Sequence, residues 1–389
     1  MKKILSIISL VIYMSVQISL DIGYAKVLNE NELYSMSACL MDAESGRVLY
    51  GKNADEIRPM ASTTKIMTCI IALECGNMKD VVKISKYAAS MPDVQLNART
   101  DDEFYLGDLL YALMLESHND VAVAIAEHIG TSVEGFAAIM NEKAKDLGCY
   151  DTYFVTPNGL DSTDDNGNVH STTATDLAKI MAYCIENDKF IEITQTKNHS
   201  FTNVKGTLNY SVNNKNAFLD MMEGVISGKT GFTNDAGYCY VAALERDGKK
   251  YVISLLGCGW PYNKNYKWLD SKTLFNYGIN EFERKKYENG NVTLPKILVK
   301  DGWKDKYIDT YIDLKDIETL GMQNEEIYYE IEMKNVISAP VEEKQVVGKI
   351  VYYIGNDELE SQNIYASVSV KEVGFIDIMK DIFAMYFLH

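Results

Sequence analysis

The sequence lacks the cysteine and histidine patterns that cross-link small folds or bind metal ions. Its 7 cysteines show no C-x-x-C spacing, and their odd number argues against a complete disulfide framework. Cys69 and Cys239 lie in apolar runs, so we expect buried thiols at these positions. The 5 histidines include no pair with metal-ligand spacing. The sequence therefore predicts no metal and no other cofactor.

Basic residues are also scarce. Lysine and arginine number 38 against 55 aspartates and glutamates, which gives a net charge of −17 at pH 7 and a pI near 4.8. A chain with this charge repels a phosphate backbone. We therefore do not expect nucleic acid as a partner.

The apolar run at the N-terminus is short for a membrane span. It covers Ile4 to Val16, follows Lys2-Lys3 and leads through polar residues to Gly23-Tyr24-Ala25. These three parts are typical of a secretory signal peptide, so we expect residues 1–25 to be removed and the protein to be exported. An uncleaved anchor is the alternative, which the polar residues on the far side of the run disfavour.

Length and composition predict two domains in the remaining chain. A chain of 389 residues is long for a single core, and the polar stretch Lys285 to Asn291 marks a boundary between residues 26–285 and 286–370. The second region has short strands and turns, so we expect a small β-rich domain that positions the first. Its predicted strands are Ile308–Ile312, Ile327–Met333, Gln345–Tyr353 and Ile364–Val370.

Residues 26–285 alternate strand and helix patterns. The strand patterns are two hairpins, Met36–Asp42 with Arg47–Gly51 and Gly237–Leu244 with Tyr251–Leu256, and a strand at Ile226–Gly231. The helical patterns are Ser62–Leu73, Leu106–Met114, Val121–Ile129, Phe136–Leu147 and a helix from a Thr173 cap to Cys184. Because helices lie between strands at both ends, we expect an α+β fold with one antiparallel sheet flanked by helices.

Residues 371–389 return to helical spacing at the end of the chain. Charged residues fall on one face, and the other face carries Phe375, Ile376, Met379, Ile382, Phe383, Tyr386 and Phe387. Such a helix is too charged to cross a bilayer but suits its surface, so we expect a membrane-associating amphipathic helix. The alternative is a helix that folds back onto the β-rich domain, because cationic residues are few.

One stretch combines a nucleophile and a base. Ser62 follows Pro59, which favours a first helical turn, and the N–H groups of that turn favour negative charge. Lys65 lies three residues later, so its ammonium can reach the Ser62 hydroxyl. In apolar surroundings a lysine loses proton affinity and can act as a base. A lone S-x-x-K is more often a helix cap and a surface lysine, so Ser62 needs partners elsewhere.

Two further signals follow in a fixed order, Ser117-His118-Asn119 and Lys229-Thr230-Gly231. Each signal alone is weak, but the ordered set of three is strong. With them the sequence resembles the serine penicillin-binding enzymes, specifically the low-molecular-mass D-alanyl-D-alanine carboxypeptidases. The resemblance covers nearly all of the chain after residue 25 and includes Ala61–Thr68, Met140–Ala144, Asn158–Asp161 and Gly228–Thr233.

The resemblance implies a penicillin-binding transpeptidase/β-lactamase-like fold and a hydrolase that works outside the cell membrane or in the cell wall. Such an enzyme removes the terminal D-alanine from peptidoglycan stem pentapeptides ending in D-Ala-D-Ala, and β-lactam antibiotics inhibit it covalently. The implied mechanism is attack by Ser62, with Lys65 as the base. Ser117 and Lys229 would relay a proton to the leaving amine, and Asn119 would hold a substrate amide.

The resemblance also implies a set of substrate-binding positions, which are Thr230, Gly231, Phe232, Thr233 and Lys267. The backbone N–H groups of Ser62 and Phe232 would form the oxyanion hole. Thr230, Thr233 and Lys267 are the candidates for binding the terminal carboxylate. Lys267 stands where relatives often carry arginine, and a lysine keeps the charge but loses the bidentate fork. His118 stands where the family usually has a small residue.

Two alternatives remain beside the carboxypeptidase. A serine β-lactamase shares the three signals, but its best-known class positions the deacylating water with a glutamate, and Asn158 to His170 contains none. The other alternative is a penicillin-binding sensor or scaffold that turns over no peptidoglycan. Because all the implied catalytic residues are present, we expect the carboxypeptidase.

Overall fold

The computed structural model describes residues 28–92, 94–288, 292–302, 306–313 and 315–387, with only the backbone at 377, 381 and 384–387. The predicted signal peptide lies outside these residues. So do the last three positions of the predicted boundary, 289–291. Within the described part of the chain, no helix combines the length and apolar character needed to cross a bilayer.

Nine α-helices occur in the described ranges. They are α1 Lys65–Cys75, α2 Leu106–Leu115, α3 Asn119–Gly130, α4 Val133–Asp146, α5 Ala174–Cys184, α6 Asp188–Gln195, α7 Phe218–Met221, α8 Tyr266–Glu281 and α9 Phe375–Phe387. The strands of the first region are β1 Ser37–Asp42, β2 Val48–Lys52, β3 Val81–Lys83, β4 Glu103–Tyr105, β5 Asn198–Thr202, β6 Asn209–Asn213, β7 Val225–Thr233, β8 Gly237–Arg246 and β9 Lys249–Leu256. The later strands are β10 Phe282–Tyr287, β11 Ile297–Lys300, β12 Lys306–Ile308, β13 Thr310–Ile312, β14 Ile317–Met322, β15 Ile327–Met333, β16 Val336–Ser338, β17 Val346–Ile354 and β18 Asp357–Ala366.

A five-stranded antiparallel sheet with the order β2-β1-β9-β8-β7 organises the first region. Successive residues of a strand face opposite sides, and in β1 both sides are buried. Cys39 and Met41 belong to the larger core with α1 to α6, whereas Ala38 and Leu40 belong to a second core with α7 and α8. The predicted antiparallel sheet flanked by helices is therefore confirmed, and β7 lies at its edge.

Most local elements agree with the sequence patterns. Both predicted hairpins form, and the Thr173 hydroxyl accepts the Asp176 N–H (3.0 Å) at the start of α5. Helix α3 begins at Asn119, two residues before its first predicted residue, Val121. All 7 cysteines are free, and those at 69 and 239 are buried as predicted.

The C-terminal region is β-rich, as predicted, but its strands differ in detail. Strand Ile308–Ile312 is divided, because β12 ends at Ile308 and pairs with β11, whereas β13 pairs with β18. Strand β18 begins at Asp357 and ends at Ala366, so the predicted strand Ile364–Val370 covers only its last residues. The first residues of β18 are polar and pair with β17, and hydrophobic alternation does not reveal them. The polar stretch predicted as a boundary begins inside β10, which pairs with β14.

Polar contacts join this β-rich region to the turn between β1 and β2. Arg47 contacts Glu325 at 2.7 Å and Asp357 at 2.9 Å, and its guanidinium also donates to the Leu320 carbonyl (2.8 Å). The Asp42 carboxylate accepts the Leu320 N–H at 3.0 Å. The Arg47 side chain is 8% exposed and Glu325 20%, whereas Asp357 is 50% exposed, so the Arg47–Glu325 pair is the better shielded part of this junction.

Candidate active site

Ser62 lies in a 3-10 turn, Ala61–Thr64, that leads directly into α1. Ala61 adopts a left-handed φ of 49°, which few residues other than glycine accept. The neighbouring hydroxyls secure the turn, because Thr63 donates to the Met60 carbonyl (2.6 Å) and Thr64 to the Ala61 carbonyl (2.9 Å). The predicted nucleophile therefore sits on a rigid backbone just before the helix.

Lys65 is completely buried, and its ammonium lies 2.8 Å from the Ser62 hydroxyl. The same nitrogen also donates to the Asn119 side-chain oxygen at 2.9 Å and to the Asn158 carbonyl at 2.5 Å. Burial and the charge of Lys229 hold the pKa of Lys65 well below its ordinary value, while Asp120 opposes them. The predicted S-x-x-K pair thus meets in a dry environment that favours a neutral amine.

Residues of the second and third sequence signals contact each other on the other side of the site from Lys65. Ser117 lies between α2 and α3 with a φ of 70°, and its hydroxyl accepts a hydrogen bond from Lys229 at 2.9 Å. The Lys229 ammonium also donates to the Thr230 carbonyl at 2.8 Å. Burial lowers the pKa of Lys229 to about 7. The structure therefore places two lysines with lowered pKa values around two serine hydroxyls.

One cavity of about 490 Å³ contains most of the predicted site residues. Its lining includes Ser62, Ser117, Lys229, Thr230, Gly231, Phe232 and Lys267. Lys65 and Asn119 are buried; Lys65 contacts the cavity-lining Ser62, and Asn119 contacts Lys65. Thr233 is different, because its hydroxyl donates to Asp161 at 3.1 Å and accepts the Ala236 N–H at 3.0 Å. The structure thus brings together every predicted site residue except the Thr233 side chain.

Lys267 forms part of an aromatic site that the sequence did not indicate. Its ammonium lies 4.6 Å from the ring centroids of both Tyr238 and Trp268, and it donates to the Lys264 carbonyl. Cation–π contact keeps an ammonium in place where water is limited. Burial lowers the pKa of Lys267 to about 8, so it stays largely protonated at neutral pH. A cation beside Thr230 in this cavity suits an anionic ligand.

The loop from Asn158 to Gly159 also contributes to the site. Besides binding Lys65, the Asn158 carbonyl accepts the Ser62 hydroxyl at 3.3 Å. Gly159 has a φ of 84°, and a Cβ there would lie 2.0 Å from the Ala61 carbonyl oxygen. The family resemblance includes this segment but implies no role for it, although an Asn-Gly pair is a signal for an unusual backbone conformation.

His170 supports the same region from behind. Its Nδ1 accepts the N–H groups of Val155 (2.9 Å) and Thr156 (3.3 Å), so the ring proton lies on Nε2 and is donated to the Thr64 hydroxyl at 2.8 Å. Burial lowers the pKa of His170 to about 3, which keeps the ring neutral. This contact joins the 158–170 loop to the turn that carries Ser62.

A serine hydroxyl beside a buried lysine, with a second lysine and serine across one cavity, defines a serine hydrolase of the penicillin-binding type. The antiparallel sheet flanked by helices agrees with this class.

The chain belongs to the D-alanyl-D-alanine carboxypeptidase family, a family of serine-type peptidases whose model matches residues 25–258. Residues 310–372 match a second model, described as the C-terminal domain of penicillin-binding protein 5.

Two relatives cover most of the chain. It is 30% identical to the D-alanyl-D-alanine carboxypeptidase DacF of Bacillus subtilis over 351 residues, or 88% of each chain. It is also 30% identical to DacA of Haemophilus influenzae over 370 residues, which cover 90% of this chain and 88% of DacA. The crystal structure of penicillin-binding protein 5 from Haemophilus influenzae superimposes with a TM-score of 0.70 at 27% identity, covering 89% of this chain and 100% of the other.

Proposed function

We propose that this enzyme removes the terminal D-alanine from peptidoglycan stem pentapeptides through an acyl-enzyme on Ser62. The observation that supports this most directly is the 2.8 Å contact between the Lys65 amine and the Ser62 hydroxyl in a site that lowers the pKa of Lys65. A neutral Lys65 takes the hydroxyl proton as Ser62 attacks the carbonyl between the two D-alanines. Water then hydrolyses the acyl-enzyme and frees Ser62.

The opposite wall of the cavity suits the leaving group. Ser117 touches Lys229 at 2.9 Å, so this pair can pass a proton to the departing amine. The terminal carboxylate would bind near Lys267 and Thr230. The backbone N–H groups of Ser62 and Phe232 would stabilise the oxyanion. The two residues lie close together, because a Cβ on Gly231, next to Phe232, would lie only 2.8 Å from the Ser62 nitrogen. The edge of β7 thus approaches the nucleophile closely.

β-Lactam antibiotics are expected to acylate the same serine, and labelled penicillin tests this assignment. The wild-type protein should bind the label covalently, and Ser62→Ala should not, although it loses only one hydroxyl. Ser200→Ala, on strand β5 outside the cavity, is the matched control and should label normally. Labelling of Ser62→Ala at the wild-type level would show that another residue is the nucleophile.

Product analysis separates the carboxypeptidase from the two alternatives. With a pentapeptide ending in D-Ala-D-Ala, the wild-type enzyme should release one D-alanine and leave a tetrapeptide. A β-lactamase would instead release hydrolysed penicillin rapidly and leave the peptide intact. A sensor or scaffold would stay labelled and release neither product.

We further propose that the enzyme is exported and that α9 holds it at the extracytoplasmic face of the cell membrane. Phe375, Ile376, Met379 and Ile382 on this helix are between 46% and 78% exposed, which is unusual for large apolar side chains. Each such side chain contributes on the order of 1 to 2 kcal/mol when it enters lipid, although ordering the helix offsets a part. Binding of this kind is hydrophobic and resists salt.

Sedimentation with lipid vesicles tests the anchor. The chain from residue 26 should sediment even in high salt, whereas a chain ending at Val373 should stay in the supernatant and keep its activity on small peptides. If the longer chain also stays in the supernatant, or if the shorter chain unfolds, the helix packs on the β-rich domain instead.

A further inference from the structure

His118 separates two site residues but is itself buried behind the cavity. It is 3% exposed, whereas its neighbour Ser117 lines the cavity and its other neighbour, Asn119, binds the Lys65 ammonium. No role in the chemistry proposed above falls to this imidazole. A large polar ring at this position nevertheless needs partners, because buried polar groups destabilise a fold unless they are hydrogen-bonded.

Glu116 is the charged side chain in contact with the His118 ring. The His118 Nε2 atom lies 3.4 Å from one carboxylate oxygen of Glu116. The other oxygen accepts the backbone N–H of Asn213 at 3.0 Å and lies 3.3 Å from the Lys215 ammonium. Glu116 therefore connects the ring to the end of β6 and to Lys215 in the segment after it, which lines the cavity.

Burial favours a neutral His118 ring, although two carboxylates near it oppose this. Glu116 faces it from the end of α2, Asp120 from α3 and Lys65 from α1, and Lys215 reaches it only through Glu116. Burial dominates and lowers the pKa of His118. Since Nε2 points at a carboxylate, the proton lies on Nε2, and Nδ1 is a buried acceptor without a hydrogen-bonding partner among the described residues. The 3.4 Å contact with Glu116 is thus the polar contact that orients the ring.

Ser117 is the residue that this support would affect. Its φ of 70° lies in the left-handed region, which a serine occupies only when its surroundings impose that conformation. The conformation is what brings the Ser117 hydroxyl to 2.9 Å from Lys229. Glu116 and His118 are the residues directly before and after Ser117. The contact between their side chains therefore links the two ends of the turn that Ser117 occupies.

We propose that His118 is a positioning residue, which bonds to Glu116 and thereby holds Ser117 in the strained turn that the reaction requires. The inference rests on the proposed acyl-enzyme mechanism, in which Ser117 and Lys229 act together. Loss of the bond lets the turn relax, and the Ser117 hydroxyl then leaves Lys229 while the cavity still binds its ligand. The chemical step is affected, and the binding step is not.

A pair of substitutions separates the hydrogen bond from the packing of the ring. His118→Gln places an amide N–H donor near the position of Nε2, whereas His118→Met has similar bulk and no donor. We expect His118→Met to acylate with penicillin at least 10-fold more slowly, with unchanged affinity in the non-covalent complex. His118→Gln should stay within about 3-fold of the wild type. His128→Gln is the control, because that histidine pairs with Asp80 at 3.5 Å near the far end of α3.

Glu116→Ala provides the second arm of the test, because it removes the same bond from the other side. In that background His118→Met should cause little further loss, since the bond is already absent. Acylation is measured below the unfolding transition of every variant, so a loss of fold is recognised separately. If His118→Met does not fold, Glu116→Ala alone must show the 10-fold loss in the acylation rate of the preformed non-covalent complex, which is measured apart from affinity because Glu116 also lines the cavity.

Three results would overturn the role of His118. They are a wild-type rate in His118→Met, equal losses in the Met and Gln variants, and fully additive losses with Glu116→Ala. Labelling of the wild type at Ser62 tells these results apart from a failure of the proposed function. If wild type and Ser62→Ala label alike, the mechanism itself is wrong.

Discussion

The contact between Gly159 and the nucleophile turn predicts a large effect from one methyl group. In Gly159→Ala the new Cβ would lie 2.0 Å from the Ala61 carbonyl oxygen and 2.9 Å from the Ser62 nitrogen. The two backbones must separate by roughly 1 Å, and a displacement of about 1 Å at a reacting group can lower a rate about 100-fold. The left-handed φ of 84° adds a cost of about 1 to 2 kcal/mol for alanine.

The same loop offers a matched control in Gly167. It has a φ of 87°, but a Cβ there meets no atom within 4 Å. Gly167→Ala should therefore lose about 1 to 2 kcal/mol of stability from the backbone strain alone and acylate normally. Stopped-flow acylation by a fluorescent penicillin, with urea unfolding of each variant, measures both quantities. Normal acylation in Gly159→Ala, or the same rate loss in Gly167→Ala, would refute the close approach as the cause.

Three further predictions concern charged groups. Lys65→Arg should nearly abolish penicillin acylation because a guanidinium stays protonated, whereas Lys229→Arg keeps the positive charge and should retain more activity; equal losses would contradict these separate roles. Burial lowers the pKa of His170 in the folded protein to about 3, whereas the unfolded residue takes up a proton near pH 6.5. The contribution of the neutral His170 to the free energy of unfolding is therefore complete above pH 6.5. It is lost as the pH falls toward 3, by up to about 4 to 5 kcal/mol. The free energy from urea unfolding of His170→Gln should depend less on pH in that window. Arg47→Ala removes the partner of Glu325 and should make the β-rich domain more sensitive to protease while penicillin labelling stays normal, whereas unchanged sensitivity would show that the ion pair does not hold the junction.

Local rules predicted the parts of the site that depend on neighbouring residues. Ser62 and Lys65 are three residues apart, and a single helical turn is enough to bring the amine to the hydroxyl. The Thr173 cap and the two hairpins follow from equally short-range signals. The family resemblance added Ser117 and Lys229, whose 2.9 Å contact joins positions 112 residues apart in the chain.

Local sequence rules did not predict the contacts that depend on the whole fold. Lys65 donates to the backbone carbonyl of Asn158, and no side-chain type in the sequence indicates such a hydrogen bond. The two rings around Lys267 come from β8 and from its own helix, so their meeting depends on how α8 packs on the sheet. Thr233 lies at the expected position on β7, but its hydroxyl donates a hydrogen bond to the nearby Asp161.

The position of β7 at the edge of the sheet has a consequence for the behaviour of the protein in crowded surroundings. An exposed edge strand is an aggregation hazard, because its unpaired backbone groups can pair with another chain. Here the turn that carries Ser62 approaches Gly231 of β7, and Ser117 contacts Lys229 of the same strand at 2.9 Å. Together they place cavity-lining residues along part of the edge of β7. Another chain could pair with this part of the edge only by entering the cavity, which limits pairing between copies of the enzyme.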